Sequence, residues 1–140
     1  MNLGNVRVFL GKIDDAVDMF RRAIALEPNS AQCHWGLANS EKAKSREHID
    51  QMQGLIESGR QSKRSQGFLH YAIGKESEDL GDWPSAFSAF SQGAKARRET
   101  VEFNEADEIA MFDAIKATYR ADWLAARPPG MEDPSPIFVL

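Results

Sequence analysis

The sequence predicts an all-α protein built from consecutive pairs of antiparallel helices. Three observations lead to this prediction. Small and aromatic residues recur at one fixed spacing, glycine and proline interrupt the chain where helices should end, and apolar residues between these breaks follow a helical period. The chain has 140 residues, of which 42% are hydrophobic, and this is enough for the core of one ordinary domain.

Two stretches of the chain carry the same small and aromatic residues at an offset of 70 positions. The matched pairs are Gly4 and Gly74, Gly11 and Gly81, Ala16 and Ala86, and Phe20 and Phe90. This offset is two periods of about 34 residues plus two extra residues, and a period near 34 is typical of helix-pair repeats. The two phenylalanines are predicted to fill the space that the two alanines leave.

The ends of these helices can be placed from the same two stretches. Gly11 and Gly81 are expected to end the first helix of each pair. The acidic pair Asp14–Asp15 favours the start of the next helix in one copy. In the other copy Asp82 is predicted to cap the helix, with Pro84 tolerated in its first turn.

A middle pair is predicted to begin near Ala31, and it is degenerate. Its second helix, expected over Arg46–Ser58, carries Asp50 and Gly54 where the other pairs have alanine and phenylalanine. A polar loop over Gly59–Ser65 is expected to absorb the extra residues. The second helix keeps an apolar stripe, which consists of Ile49, Met52, Leu55 and Ile56.

The last long helix is predicted at about residues 104–120. Asn104, with Asp107 three residues later, is close to a capping box and marks the helix start. We expect this helix to cap the open end of the repeats. Residues 128–140 are predicted to be a linker followed by a short apolar strand at Pro136–Leu140. The apolar face of the helix consists of Ile109, Met111, Phe112, Ile115 and Tyr119.

These features resemble the tetratricopeptide-repeat family. The clearest copy of the family pattern is Gly4, Gly11, Ala16, Phe20, Ala23 and Pro28. The resemblance implies a solenoid of helical hairpins with a capping helix, spanning residues 1–127 and followed by the strand-like tail. The implied repeats cover about residues 1–30, 31–66 and 67–100.

A narrower resemblance covers residues from about 60 to 140. "GKESEDLGDWPSAFSAFSQGAKARR", then an acidic helix start, then "DPSPIFVL" is similar to the segment leading into the catalytic domain of bacterial tetratricopeptide-repeat sulfotransferases. In that family such a strand begins the catalytic sheet and runs into a Gly-x-x-Arg-Ser-Gly-Thr loop that binds 3′-phosphoadenosine 5′-phosphosulfate. The resemblance implies that this chain is the N-terminal part of such an enzyme, cut before that loop, with no catalysis or cofactor binding of its own. The alternative is a free-standing adaptor whose tail strand docks elsewhere.

A solenoid offers a concave groove lined by the first helix of each pair. The groove-facing positions that the resemblance implies are Asn2, Asn5, Gln32, Trp35, Asn39, Lys42, Phe68, Tyr71, Lys75 and Glu78. Asparagine can hydrogen-bond a peptide backbone in both directions, and aromatic residues are enriched at binding hot spots. The aromatic residues fit equally well as packing between repeats. In relatives that bind a chaperone's C-terminal carboxylate, paired lysines stand where this chain has Met1 and Gln32, which argues against that ligand.

Charge and composition argue against several other functions. The net charge of −4 disfavours a nucleic-acid partner. No apolar run is long enough to span a membrane and no signal peptide is evident, so a cytoplasmic protein is expected. Two basic clusters lie where helices are expected to end, where cations complement the helix dipole. They are Arg60, Lys63 and Arg64, and Lys95, Arg97 and Arg98.

The histidines and the single cysteine give no pattern of a catalytic or metal site. His34, His48 and His70 lack metal-ligand spacing, so no metal is expected. His34 and His70 share one register of the repeat, where an aromatic residue packs, and both are predicted to pack in the core or at an interface. Cys33 has no partner for an internal disulfide and is expected to be a small buried residue.

Overall fold

The computed structural model describes residues 2–128 and contains only helices among them, so the described fold is all-α. The predicted strand at Pro136–Leu140 lies outside the described residues. The helices are α1 (Asn2–Phe9), α2 (Ile13–Leu26), α3 (Ala31–Ser40), α4 (Glu47–Glu57), α5 (Lys63–Asp79), α6 (Trp83–Arg98), α7 (Glu105–Thr118) and α8 (Ala121–Ala125).

The chain divides into two compact units. The first ends at Glu102 and contains α1 to α6, and the second begins at Phe103 and contains α7 and α8. In the second unit the Asn104 side chain accepts a hydrogen bond from the Ala106 N–H at 3.1 Å, which confirms the predicted helix start. All five residues of the predicted apolar face of α7 are exposed. That α7 caps the repeats stays a prediction.

Glycines end the first helices of the outer pairs as predicted. Gly11 follows α1 with a φ of 71°, and Gly81 follows α5 with a φ of 78°. Residues other than glycine rarely adopt this left-handed backbone conformation. Asp82 then caps α6, since its carboxylate accepts a hydrogen bond from the Ser85 N–H at 3.2 Å. Pro84 lies in the first turn of α6, also as predicted.

The first helices of the three pairs lie side by side. α3 contacts α1 on one side and α5 on the other, while α2 packs against both α1 and α3. The last pair, α5 and α6, has the most extensive contact of any two helices in the first unit. In the middle pair, α4 packs mainly against α5 rather than against α3. The middle pair is therefore degenerate in its packing as well as in its sequence.

The two phenylalanines pack against glycines, which differs from the prediction that Ala16 and Ala86 leave their space. A Cβ atom added to Gly4 or Gly36 would lie 2.8 Å or 2.5 Å from the Phe20 ring. The same atom added to Gly74 would lie 2.6 Å from the Phe90 ring. Alanine already has a Cβ atom, so only glycine lets the rings approach the helix backbone this closely.

Two apolar clusters form the core of the first unit. The α4 stripe behaves as predicted, because Ile49 and Met52 are fully buried and Leu55 and Ile56 pack partly buried against them. One cluster consists of Ala16, Val17, Phe20, Ile24, Cys33 and Leu37. The other consists of Ala31, Ala38, Ile49, Met52, Leu69, Ala72, Ile73 and Ala89.

The predicted loop after α4 is shorter than expected, and the first basic cluster does not lie at the end of a helix as predicted. α5 begins at Lys63, so the loop after α4 ends earlier than Ser65. Lys63 and Arg64 therefore lie in the first turn of a helix, where a cation opposes the dipole. The second basic cluster, Lys95, Arg97 and Arg98, does lie in the last turn of α6, as predicted.

Candidate functional site

Trp35 lines two apolar surface pockets of the first unit. It projects from α3 and remains 39% exposed, although its neighbours His34 and Gly36 are buried. The Trp35 ring meets the Phe68 ring of α5 edge-to-face at a centroid distance of 5.8 Å. Beside this pair an open pocket of about 330 Å³ is lined by Trp35, Arg64, Gly67, Phe68, Tyr71 and Arg97.

Close packing of α5 and α6 fixes the far wall of this pocket. A Cβ atom added to Gly93 would lie 3.3 Å from a ring carbon of Tyr71, so the Tyr71 ring rests directly on the α6 backbone. The Tyr71 ring also lies 6.4 Å from the Phe90 ring, measured between centroids. The aromatic wall is therefore positioned by helix packing before any ligand arrives.

A second apolar pocket also has Trp35 in its lining. It has a volume of about 260 Å³, and its lining residues come from α1, α2 and α3: Asn5, Val8, Phe9, Phe20, Trp35, Gly36, Asn39 and Ser40. The Asn39 Nδ2 atom donates a hydrogen bond to the Trp35 carbonyl at 2.7 Å. One N–H and the carbonyl oxygen of that amide can still bind a peptide backbone. We call the two pockets together the Trp35 groove.

The structure brings five of the ten predicted groove residues to the Trp35 groove: Asn5, Trp35, Asn39, Phe68 and Tyr71. Gln32 lines an adjoining polar pocket with Phe68. Glu78 is exposed but lines none of these pockets, and Lys42 lines a separate polar cavity described below. The side chain of Asn2 is outside the described residues.

Lys75, the remaining predicted groove residue, is used inside the fold. Its Nζ atom donates to the Asp79 carboxylate at 2.7 Å and to the carbonyl oxygen of Glu41. The backbone N–H of Ala43 donates to the same carboxylate at 2.9 Å. Burial raises the pKa of Asp79, but these hydrogen bonds outweigh it and the pKa is lowered. Lys75 therefore holds the loop after α3 against α5.

A chain of buried polar side chains, which the sequence reasoning did not find, connects α3, α4 and α5. The His34 Nε2 atom bonds the Pro28 carbonyl at 2.8 Å, and the His34 Nδ1 atom bonds the Nε2 atom of His48 at 2.8 Å. The His48 Nδ1 atom in turn bonds the Glu76 carboxylate at 2.6 Å. We call Pro28, His34, His48 and Glu76 the histidine chain.

Hydrogen-bond direction limits the protonation of the histidine chain. The Pro28 carbonyl only accepts, so the His34 Nε2 atom carries a proton. Burial is the main cause that lowers the pKa of His34, which favours the neutral ring, and its Nδ1 atom then accepts from His48. The other ring nitrogen of His48, Nδ1, is then the atom that bonds the Glu76 carboxylate.

Both ring nitrogens of His48 are used in this chain, so the imidazole has no free atom for proton transfer to a substrate. A polar cavity of about 360 Å³ adjoins His48 and Glu76, with Arg21, Lys42 and Lys44 among its lining residues. Among the residues that the structure describes, no group of three or more His, Cys, Asp or Glu side chains could hold a metal ion. The histidine chain joins α3, α4 and α5 through hydrogen bonds.

The prediction for His34 is confirmed, because its side chain is fully buried. His70 is half-buried and lines a cleft between α4 and α6, and burial lowers its pKa. The sequence signal that could have revealed the histidine chain is Glu76. This carboxylate lies on α5 two residues after Gly74, close to residues that are buried. Such a group needs a polar partner.

No family model, curated protein or solved structure matches the chain. None of the helices in the described part of the chain is long and apolar enough to cross a membrane.

Proposed function

We propose that the first unit binds a protein or peptide partner in the Trp35 groove. The observation that supports this proposal is that Trp35 is partly exposed and forms a shared wall of two apolar pockets. Partly exposed tryptophan and tyrosine side chains in a preformed pocket are the residues that most often dominate binding energy at protein interfaces.

The arrangement suits an extended segment better than a single small molecule. Two apolar pockets that share Trp35 in their linings can each take one apolar side chain of the same peptide. The Asn39 amide, at the edge of the second pocket, offers a donor and an acceptor to the peptide backbone between them. The aromatic walls are already in place, so little ordering free energy is lost on binding.

A displayed library of random peptides, selected on the full chain, tests this proposal. We expect enriched peptides whose affinity for Trp35→Ala is at least about 30-fold weaker than for the unchanged protein, since hot-spot truncation removes about 2 kcal/mol or more. Trp83→Ala is the matched control, because Trp83 is 63% exposed on α6 and lines neither pocket. Peptides that bind both variants equally would contradict the proposal.

We also propose that this module is the N-terminal part of a tetratricopeptide-repeat sulfotransferase, with the free-standing adaptor as the alternative. The support is the resemblance of residues 60–140 quoted above. Reading the source DNA beyond the codon for Leu140 tests it. An in-frame Gly-x-x-Arg-Ser-Gly-Thr stretch favours the sulfotransferase, and an immediate stop codon favours the adaptor.

A further inference from the structure

We infer that the segment bound in the Trp35 groove carries an acidic side chain next to its apolar anchor. This inference rests on the proposed function and specifies the chemistry of its ligand. The first observation is the charge of the larger pocket. Both charged side chains that line it, Arg64 and Arg97, are arginines, and no carboxylate lines it. The chain as a whole has a net charge of −4, so this is a local reversal of sign.

Neither arginine of the pocket has a carboxylate partner within the part of the chain that the structure describes. Arg64 is exposed, and Arg97 donates only to the Thr100 hydroxyl at 3.3 Å. Two other cations of the first unit are paired, since Arg21 binds both oxygens of Glu41 and Lys63 lies 3.1 Å from Glu99. The guanidinium groups of the pocket are therefore available to a carboxylate from outside.

The position of Arg64 supports a role in binding. It lies in the first turn of α5, where the helix dipole disfavours a cation. A carboxylate placed beside Arg64 would neutralise this cation and would also meet the favourable end of the α5 dipole. Stability of the helix therefore gives no reason for an arginine at this position, whereas an acidic ligand does.

Both cations border the same end of the aromatic pocket. Arg64 lies at the start of α5 and Arg97 near the end of α6, and these two helix ends adjoin, because Lys63 lies 3.1 Å from Glu99. An internal segment with an acidic residue beside an aromatic or large aliphatic residue places its carboxylate at this end of the pocket. Guanidinium groups bind carboxylates in a planar, two-bonded geometry.

The test uses the library peptides selected on the full chain, synthesised with amidated C-termini so that no terminal carboxylate is present. We expect enriched peptides to contain Asp or Glu beside an apolar residue. Changing these residues to Asn and Gln should weaken binding by about tenfold or more, because a hydrogen bond to a charged group contributes about 1.5 kcal/mol. Arg64→Gln combined with Arg97→Gln should cause a similar loss. On the Asn/Gln peptides that double variant should have little effect.

Arg22→Gln is the control for net charge, because Arg22 is exposed on α2 and lines neither pocket of the groove. Enriched peptides that depend on Trp35 but are neutral or basic would overturn the inference while leaving the proposed function intact. Restored binding on adding a free C-terminal carboxylate to the Asn/Gln peptide would overturn the choice of side-chain carboxylates. The absence of any Trp35-dependent peptide, or preferential binding of a labelled oligothymidine, would overturn both proposals.

Discussion

Two neighbouring residues of α3, His34 and Trp35, show that the buried and exposed faces of this helix have different roles. His34 is fully buried, and both of its ring nitrogens bond to other parts of the protein. Trp35 is 39% exposed and lines two open pockets. The histidine chain thus forms its hydrogen bonds within the protein, although the second carboxylate oxygen of Glu76 is buried without a partner among the described residues, whereas the Trp35 groove presents aromatic and cationic groups to solvent.

The comparison between the histidine chain and the Trp35 groove separates groups that stabilise the fold from groups that remain free to bind a partner. In the middle pair α4 makes little contact with α3, and the bond between His34 and His48 connects the two helices. In the outer pairs Phe20 and Phe90 provide this connection by packing on glycine. A polar contact therefore adds to the apolar packing where the repeat is degenerate.

The largest loss of stability is expected from breaking the histidine chain. Glu76→Ala leaves the buried His34 and the half-buried His48 without their carboxylate, and removing one member of a buried pair costs about 3 kcal/mol or more. The measurement is the free energy of unfolding in urea. Glu78→Ala is the control on the same helix, and because Glu78 is exposed we expect a change within about 0.5 kcal/mol. Equal effects at the two positions would mean that the chain contributes nothing.

Glycine positions should give the next largest effect, with opposite signs in two helices. Gly74→Ala places a methyl group 2.6 Å from the Phe90 ring, and such overpacking costs about 2 kcal/mol. Gly54→Ala meets no atom within 4 Å on α4, so it should stabilise the protein by about 0.5 kcal/mol through helix propensity. Thermal unfolding followed by circular dichroism compares the two variants. A stable Gly74→Ala protein would contradict the packing described for the last pair.

A smaller loss of stability is expected from the groove. Trp35→Ala removes a partly exposed ring that contacts Phe68, and we expect a cost of about 1 kcal/mol with unchanged helicity. The urea midpoint and the far-ultraviolet spectrum report both quantities. Extensive unfolding of this variant would place Trp35 in the core and would favour the interpretation that the aromatic residues only fill gaps between helices.

The pH dependence of stability should come from the buried histidines and not from the groove. Burial lowers the pKa of His34 and of His70 in the folded protein from the ordinary value of 6.5. Below pH 6.5 the unfolded chain therefore binds more protons than the folded one, and the free energy of unfolding falls as the pH drops. The contribution of Asp79, whose pKa is also lowered, is lost only near and below pH 3.8.

Urea unfolding at pH 7.5 and pH 5.5 measures this effect. The His70→Gln variant should lose less stability over this range than the unchanged protein, because one of the two groups has been removed. Trp35→Ala should show the same pH dependence as the unchanged protein. Stability that is constant or rises towards pH 5.5 would contradict the burial of these imidazoles.

Local chemistry explains why much of the fold could be predicted from the sequence. Gly11, Gly81 and Asp82 act through their own backbone and side-chain geometry, so their roles were readable without knowledge of distant residues. The phenylalanine positions were also readable, but the glycines that make room for them were misassigned to alanines. Gly4 and Gly74 pack on these rings within their own pairs, whereas Gly36 packs on Phe20 from the following pair, a contact that the sequence spacing does not reveal.

The candidate site was predicted only in part, for a similar reason. The aromatic residues of the groove follow the repeat register, and the structure brings Trp35, Phe68 and Tyr71 to one pocket. His48 and Glu76 come from two other helices, and their meeting with His34 depends on how α4 packs on α5. No periodicity encodes such a contact. The solenoid type and the sulfotransferase relationship stay predictions.

The indole N–H signals of the three tryptophans provide the most direct test of the central claim. Each can be assigned in a nitrogen–proton correlation spectrum of the full chain from its alanine variant. On addition of a peptide enriched from the library, we predict that the Trp35 signal moves while those of Trp83 and Trp123 stay in place. An unchanged Trp35 signal in the presence of bound peptide would contradict the claim that the Trp35 groove is the binding site.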